Sequence, residues 1–416
     1  MGHQAPSVSD ADLRTCEMLA EGAAALGRSG YSTAESRKLL EEIAVELGYR
    51  AEIALTPTTV VVEDRVSGTV AIRQINNNYR FDQIDEAQVT LTELRKQSIG
   101  VEEATLSFLA SEGKAPPLPW WLRVFGYALS SVGFAAYLRM GATNVLAAGL
   151  LGFIVGAALV LAGPSRRMSS LMPLAATFFA ALAVAVACHV MSLPDPVRLA
   201  AISVVILLPG GALTTAVVDL VGGDMVSGAS RLIYAVFQLA SMAFGFCVAI
   251  SLVDLSPSGL TDYTSAAPVW VAWIGVMAFA IGIMLYFCMP KSLWIPSFVI
   301  ILVTYGAQSL AQIELPSFVA SGVAACVGLT AALFVNSRRG SGPLYMALFL
   351  PSFWLIVPGS LSFVAVAGVL TKDASLSSLG GLALLTLLSM AIGIMIATLM
   401  YPAHSPKPAP TSPPTP

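Results

Sequence analysis

The sequence predicts a mostly α-helical membrane protein, in which ten transmembrane helices form two inverted five-helix repeats and a small soluble α+β domain precedes them. Three observations lead to this prediction. Of the 416 residues, 56% are hydrophobic and only 11% are charged, whereas soluble proteins average about 25% charged residues. Apolar stretches long enough to cross a bilayer recur after residue 120, and one Pro-Gly pattern occurs twice at a wide spacing.

Ionisable residues are concentrated at the start of the chain. The first 119 positions hold 11 Lys and Arg and 18 Asp and Glu, whereas the remaining 297 hold 11 and 7. We therefore expect a cytosolic domain over residues 1–119 and membrane repeats over residues 120–252 and 253–401. Residues 402–416 are rich in proline, which is typical of a disordered tail.

The amino-terminal domain carries helix, strand and turn signals in an α+β order. Ser32 and Glu35 form a capping-box pattern at the start of the second helix. The strand segments alternate in polarity or are rich in β-branched residues. We predict helices over residues 12–26, 34–47, 84–94 and 101–110, and strands over residues 51–55, 59–63 and 69–75.

Apolar stretches fill the rest of the chain, and each is long enough for a hydrocarbon layer of about 30 Å. The predicted spans are 121–138, 143–162, 171–191, 197–220, 231–252, 268–288, 293–312, 316–335, 344–370 and 379–401. If the amino terminus is cytosolic, eight Lys and Arg lie in loops on that side and three on the other. This bias predicts a cytoplasmic-membrane protein with both termini in the cytosol.

The fourth and ninth spans share an internal signal. Leu208-Pro209-Gly210 interrupts the fourth span, and Val357-Pro358-Gly359 interrupts the ninth span at the corresponding place. Because each repeat would contain an odd number of helices, the second would enter the membrane in the opposite orientation, as in many secondary transporters. The alternative is two unrelated Pro-Gly kinks.

Each Pro-Gly pair is expected to break its helix inside the membrane, which is tolerated where protein or a water-filled cavity surrounds the break. The amino-terminal ends of the two following half-helices would attract a carboxylate, and the carbonyls released before each proline would accept hydrogen bonds from an ammonium group. This pairing suits a zwitterion. The predicted substrate-binding residues are Pro209, Gly210, Gly211, Thr214, Thr215, Trp354, Pro358, Gly359 and Ser360. For the hydroxyls and Trp354, ordinary helix packing is the alternative.

Four ionisable residues of the membrane part are candidates for a gate or for proton coupling. Asp219 lies about 15 Å along the helix from Pro209, near the cytoplasmic boundary, where it is either an inner gate or a solvated helix-end carboxylate. Asp224 and Arg231 could pair across the following turn. His189 is either a proton relay or a packed histidine.

Sequence signatures of catalysis and of cofactor binding are missing. Three histidines cannot build an HExxH zinc site, and neither a Walker loop nor a GxGxxG or GxSxG motif occurs. We expect no enzyme activity, no cofactor and no metal, so transport would draw on an ion or substrate gradient. No basic run is present for phosphate contacts, which argues against a nucleic-acid partner.

With these residues, the sequence resembles the threonine/serine exporter family, also called ThrE-like. The motifs that carry the resemblance are Gly30-Tyr31-Ser32-Thr33, Gly48, Thr56-Pro57-Thr58, Leu208-Pro209-Gly210 with Asp219, Gly223-Asp224, Ser227-Gly228 with Arg231, and Val357-Pro358-Gly359-Ser360. The resemblance implies a proton-driven exporter of small hydroxy amino acids whose soluble domain is essential or regulatory. Gly211 departs from the larger residue expected there, which leaves the substrate preference open.

The sequence hypothesis is thus a secondary exporter of threonine or serine. Its partners are the amino acid, protons and the lipid bilayer, and the hypothesis allows a homo-oligomer. A dicarboxylate exporter, for a substrate such as succinate, is the nearest alternative, although the lack of Lys or Arg near either Pro-Gly pair favours a zwitterion. A membrane-anchored sensor or hydrolase that acts through the cytosolic domain is the alternative from another class.

Overall fold

The computed structural model describes residues 10–400 except 77, 164–170, 192–195, 254–266, 340–344 and 357–378. Within this part of the chain the secondary structure is mostly helical, with one three-stranded antiparallel sheet near the amino terminus. The mostly α-helical fold class and the small amino-terminal sheet are therefore confirmed.

The soluble domain contains four helices and the sheet. Its elements are α1 (Asp10–Arg28), α2 (Thr33–Glu46), β1 (Ala51–Leu55), β2 (Thr59–Asp64), β3 (Val70–Gln74), α3 (Phe81–Arg95) and α4 (Val101–Glu112). The sheet order is β1-β2-β3, and Val62 of β2 pairs with Ile53 and Ala71 on its two sides. The small side chains of Ala23 and Ala24 are fully buried in α1, which lies at the centre of the domain against β2, β3 and α4.

Apolar helices make up the membrane part. They are α5 (Trp120–Tyr137), α6 (Ala142–Ala162), α7 (Met172–Met191), α8 (Pro196–Ser203), α9 (Gly210–Val221), α10 (Met225–Leu252), α11 (Val269–Tyr286), α12 (Lys291–Ala311), α13 (Ser317–Arg339), α14 (Tyr345–Ile356) and α15 (Leu379–Met400). Within the described residues, six helices are long and apolar enough to cross a membrane, or seven if α8 and α9 are one bent span. The predicted count of ten spans stays a prediction, and the second half of the ninth lies outside the described residues.

The predicted break in the fourth span is confirmed. A short 3-10 turn over Val205–Leu207 separates α8 from α9, and the two segments are bent by 67°. Side chains satisfy two backbone carbonyls at the break. The Tyr127 hydroxyl donates to the carbonyl of Ser203 at 3.2 Å, and the Gln238 amide donates to that of Leu207 at 2.7 Å. The Leu207 carbonyl, which we expected to be open to an ammonium group, is thus already occupied.

Helix boundaries recur at the spacing of the Pro-Gly pattern. Helices α5 and α6 begin at Trp120 and Ala142, and α11 and α12 begin at Val269 and Lys291, so each pair of starts is separated by the interval between Pro209 and Pro358. The turns that follow α5 and α11 also correspond. Arg139 (φ 58°) and Cys288 (φ 54°), separated by the same interval, both adopt a left-handed conformation that is uncommon for residues other than glycine.

Helices α5 and α11 pack tightly through four glycines. A Cβ atom on Gly133 would lie 2.6 Å from the carbonyl oxygen of Gly275, and one on Gly275 would lie 2.6 Å from that of Gly133. The same reciprocal contact joins Gly126 and Gly282, at 2.8 and 2.6 Å. Earlier residues of one helix thus face later residues of the other, so the two helices run in opposite directions where they cross.

Candidate functional site

The soluble domain contacts the broken helix directly. We call this contact, in which residues 30–35 meet α9, the α9–α10 turn and the start of α14, the joint. Gly30, which has a positive φ of 80°, lies in the tight turn between α1 and α2. Its carbonyl oxygen accepts a hydrogen bond from the Thr215 hydroxyl of α9 at 3.1 Å. The turn between α1 and α2 therefore contacts the middle of α9.

Asp219 lies at the centre of the joint and is 0% exposed. Its Oδ1 atom accepts hydrogen bonds from the backbone N–H of Thr33 at 2.9 Å and from the Thr33 hydroxyl at 3.2 Å. Its Oδ2 atom forms an ion pair with Nε of Arg231 at 3.0 Å. Because Thr33 begins α2, the positive end of that helix dipole also faces the carboxylate.

The interpretation of Asp219 as a solvated helix-end carboxylate is therefore wrong. Asp219 does lie near the carboxyl end of α9, as its distance from Pro209 predicts, but the soluble domain covers it. Helical spacing within the membrane part carries no information about a covering segment 186 residues earlier in the chain.

Asp224 and Arg231 do not form the pair that we expected across the α9–α10 turn. Arg231 pairs with Asp219, whereas Asp224 caps α10 by accepting a hydrogen bond from the Ser227 backbone N–H at 3.1 Å. Asp224 also accepts a hydrogen bond from the Thr33 hydroxyl at 2.6 Å. Burial tends to raise the pKa of Asp224, but these hydrogen bonds outweigh it and lower the pKa below its usual value.

Sequence reasoning missed a third carboxylate of the joint. Glu35 accepts a hydrogen bond from the hydroxyl of Tyr345, at the start of α14. The ring of Tyr31 packs edge-on against that of Tyr345, with 6.0 Å between the centroids, and the buried Tyr31 hydroxyl has no hydrogen-bond partner in the described part of the chain. Burial raises the pKa of Glu35, and the negative charge of Asp219 raises it further.

The capping pattern was the only sequence signal at Glu35. The Ser32 hydroxyl accepts a hydrogen bond from the Glu35 backbone N–H at 3.1 Å, so the predicted cap of α2 is confirmed. A capping box would turn the glutamate side chain back to its own helix. Here the Glu35 carboxylate instead accepts a hydrogen bond from Tyr345, 310 residues later.

Aromatic side chains lie opposite the start of α9. A Cβ atom on Gly211 would be 3.6 Å from Nε1 of Trp354, so the Trp354 indole lies beside the break. The ring centroid of Trp354 lies 5.0 Å from that of Phe287 and 6.3 Å from that of Phe81, the first residue of α3. Residues of the soluble domain and of the membrane part thus meet beside Gly211.

The two predicted threonines differ in their contacts. The Thr214 hydroxyl donates to the carbonyl of Gly210 within α9 at 2.7 Å, which is the ordinary packing of a helical threonine. The Thr215 hydroxyl lies 3.0 Å from the Gly211 carbonyl and also reaches Gly30. Thr215 therefore contributes to the joint, and Thr214 stabilises the first turn after the break.

The remaining candidate residues cannot be placed in this arrangement. Pro358, Gly359 and Ser360 lie outside the described residues. His189 falls within α7, but its side chain is not part of the described structure. Among the described residues, no group of three or more His, Cys, Asp and Glu side chains is arranged to hold a metal ion.

The helices and the family comparison together give the class of the protein. Its apolar helices define a multi-pass membrane protein, with a small three-stranded sheet near the amino terminus. The model of the ThrE family, described as putative threonine/serine exporter, matches residues 17–253, from α1 to the end of α10. Because this match covers more than half of the 416 residues, the chain belongs to that family. Neither a curated protein nor a solved structure matches the chain.

Proposed function

We propose that the protein is a secondary active exporter of threonine or serine in the cytoplasmic membrane, coupled to protons. The observation that carries this proposal is the interruption between α8 and α9, a 67° bend beside Trp354 in a chain of the ThrE family. Irregular backbone inside a membrane marks a substrate or ion site in many transporters, because it requires protein or a water-filled cavity around it.

The chemistry around the break suits a small zwitterion. The Gly210 N–H donates to the Leu208 carbonyl at 2.7 Å. The backbone N–H of Gly211, in the first turn of α9, and the positive end of the helix dipole are available to a substrate carboxylate. Gly211 leaves space beside Trp354 that a larger side chain would reduce. In this proposal Pro358, Gly359 and Ser360 supply the second half of the site.

Two observations support an inverted repeat as the scaffold of this site. The starts of α5 and α6 recur in α11 and α12 at the interval that separates the two Pro-Gly pairs. Helices α5 and α11 also contact each other reciprocally, Gly126 with Gly282 and Gly133 with Gly275. At the repeat interval Gly275 is the equivalent of Gly126 and Gly282 is the equivalent of Gly133, so each contact is the counterpart of the other, which is what a two-fold axis produces. We infer that relative motion of the two halves about α5 and α11 alternates access to the site.

The joint is the inner gate in this mechanism. Asp219, Arg231 and Thr33 hold the end of α9 against the soluble domain, so the route past α9 is closed on that side. Access from the cytosol then requires these contacts to separate. This assigns the soluble domain a mechanical part in transport.

Release from proteoliposomes tests the proposal. Vesicles containing the purified full-length protein are loaded with labelled threonine, serine or succinate, and release is followed with and without an imposed proton gradient. We expect release of threonine or serine that the gradient accelerates. Release of succinate alone would identify a dicarboxylate exporter, and release of none of the three would refute the proposal.

The role of Asp219 is tested in the same vesicles. We expect Asp219→Asn to slow gradient-driven release, whereas Glu103→Gln, a control on the exposed face of α4, leaves it unchanged. If the rates of Asp219→Asn equal those of wild type from about pH 5.5 to about pH 8, Asp219 has no part in coupling.

A further inference from the structure

We propose that Glu35 is the proton-binding site of the exporter and that Tyr345 is its hydrogen-bond partner in the closed state. The inference rests on the proposed proton-coupled export. It locates the coupling proton on the soluble domain, at the contact that must open, and not within a membrane helix.

The three carboxylates of the joint differ in how their negative charge is compensated. Asp219 has an ion pair with Arg231 and a hydrogen bond from the Thr33 backbone N–H, and it shares the single proton of the Thr33 hydroxyl with Asp224. Asp224 accepts hydrogen bonds from Thr33 and from the backbone of Ser227. For Glu35, no ion pair is formed within the described residues. Glu35 thus lacks the close cation that Asp219 has in Arg231, and the Tyr345 hydroxyl is the partner of its carboxylate, so we take Glu35 as the proton acceptor.

The charged and titratable groups that face Glu35 come from three elements. Lys38 of α2 favours the ionised form, as does the Tyr345 hydroxyl of α14, which donates to the carboxylate. Asp219 of α9 favours the protonated form. Burial, which is the largest effect, also favours the protonated form, so the pKa of Glu35 lies above its usual value in the closed joint.

Opening of the joint would release the proton. Glu35 belongs to the soluble domain and Tyr345 to the membrane part, so their separation breaks the hydrogen bond and exposes the carboxylate to water. An exposed glutamate returns to an ordinary pKa of about 4.3 and loses its proton to cytosolic water. The proton binds a carboxylate oxygen of Glu35 in the closed state and leaves as hydronium in the open state, so the cycle is balanced.

The Tyr31 hydroxyl gives the site a second polar group. It is 2% exposed, has no hydrogen-bond partner in the described part of the chain, and its ring packs against that of Tyr345. A buried hydroxyl without a partner is costly, which suggests that it is used in another step of the cycle.

Infrared difference spectroscopy on the purified full-length protein tests the site without any substrate. Spectra taken at about pH 5 and about pH 8 reveal carboxylic acids that lose their proton in this interval. We expect a carbonyl-stretch band that disappears in Glu35→Gln and persists in Glu41→Gln, a control at an exposed position of the same helix. An unchanged band in Glu35→Gln would overturn the proposal.

A second variant leaves the carboxylate in place. Tyr345→Phe removes the hydrogen bond that favours ionised Glu35, so the midpoint of the band should move up by about one pH unit. A midpoint that stays at the wild-type value or moves down would contradict the assignment, even if Glu35→Gln fails to fold.

Transport then separates this inference from the proposed function. In the same vesicles, exchange of labelled for unlabelled threonine and serine is measured without a gradient, and release of the amino acid that exchanges is measured with one. We expect the ratio of gradient-driven release to exchange to fall at least about tenfold in Glu35→Gln, equivalent to about 1.4 kcal/mol. Absence of exchange of both threonine and serine in the wild type would refute the proposed function, whereas a wild-type ratio in Glu35→Gln would refute the role of Glu35.

Discussion

Replacing Thr33 by valine is the most direct test of the joint, because valine keeps the shape of the side chain and removes only the hydroxyl. The Thr33 hydroxyl lies 2.6 Å from Oδ2 of Asp224 and 3.2 Å from Oδ1 of Asp219. A hydroxyl has one proton to donate, and the two carboxylates share it. Thr33→Val therefore removes one hydrogen bond in total. Such a bond contributes about 1.5–3 kcal/mol.

The backbone contact survives the substitution. Asp219 keeps the Thr33 N–H at 2.9 Å and Arg231 at 3.0 Å, so the joint should weaken without separating. We expect a loss of about 2 kcal/mol, which corresponds to roughly a thirtyfold rise in the open population.

Hydrogen exchange measured on the intact protein reads this population. The backbone amides of the first turn of α2 should exchange roughly thirty times faster in Thr33→Val, because exchange follows local opening. Thr105→Val is the matched control, since its hydroxyl only donates to the Val101 carbonyl within α4. Equal exchange at α2 in both variants, or faster exchange throughout the soluble domain in Thr33→Val, would refute the reasoning.

The other predictions concern charge, packing and pH. Arg231→Met leaves Asp219 buried without its cation, which should cost about 3–5 kcal/mol and lower the thermal midpoint. Gly275→Ala places a methyl group 2.6 Å from a backbone oxygen of α5 and should cost about 1–3 kcal/mol by the same measurement. Exchange at α2, corrected for intrinsic rates, should be slowest at intermediate pH. Because the pKa of Asp224 is lowered, its contribution to the stability of the closed joint is lost as pH falls through that pKa. Because the pKa of Glu35 is raised, its contribution to the stability of the closed joint is lost as pH rises through that pKa.

Each of these predictions has its own control. Adding Asp219→Asn to Arg231→Met should restore part of the lost stability, and no restoration would mean that the two residues are not coupled. Gly141→Ala meets no atom within 4 Å and should leave the thermal midpoint unchanged. In Glu35→Gln the alkaline loss of protection should disappear, while the acid loss remains.

Local signals predicted the soluble domain well. The Ser32 cap is a property of a few adjacent residues, and the helices and strands begin and end within a few residues of their predicted positions. The Pro209-Gly210 break was predictable for the same reason, since proline and glycine act on their own backbone.

The joint could not be predicted in this way. Thr33 and Asp219 are 186 residues apart, and no periodicity within either segment indicates the other. Sequence proximity favoured a pair between Asp224 and Arg231, but Thr33 and the start of α10 bind Asp224 and leave Arg231 to Asp219. Resemblance to a family pointed to these residues without showing that they meet.

The dependence of Asp219 on Thr33 has a consequence for biogenesis. The ribosome makes Thr33 186 residues before Asp219, a delay of about 10–40 s at ordinary elongation rates. The soluble domain has its own buried centre and can fold during that interval. When α9 and α10 leave the translocon, the amino-terminal domain is already folded and can bind the Asp219–Arg231 pair. Without that domain the pair would have to remain hydrated at the membrane boundary. Nascent chains that lack α1 and α2 should therefore pause during the membrane insertion of α9 and α10.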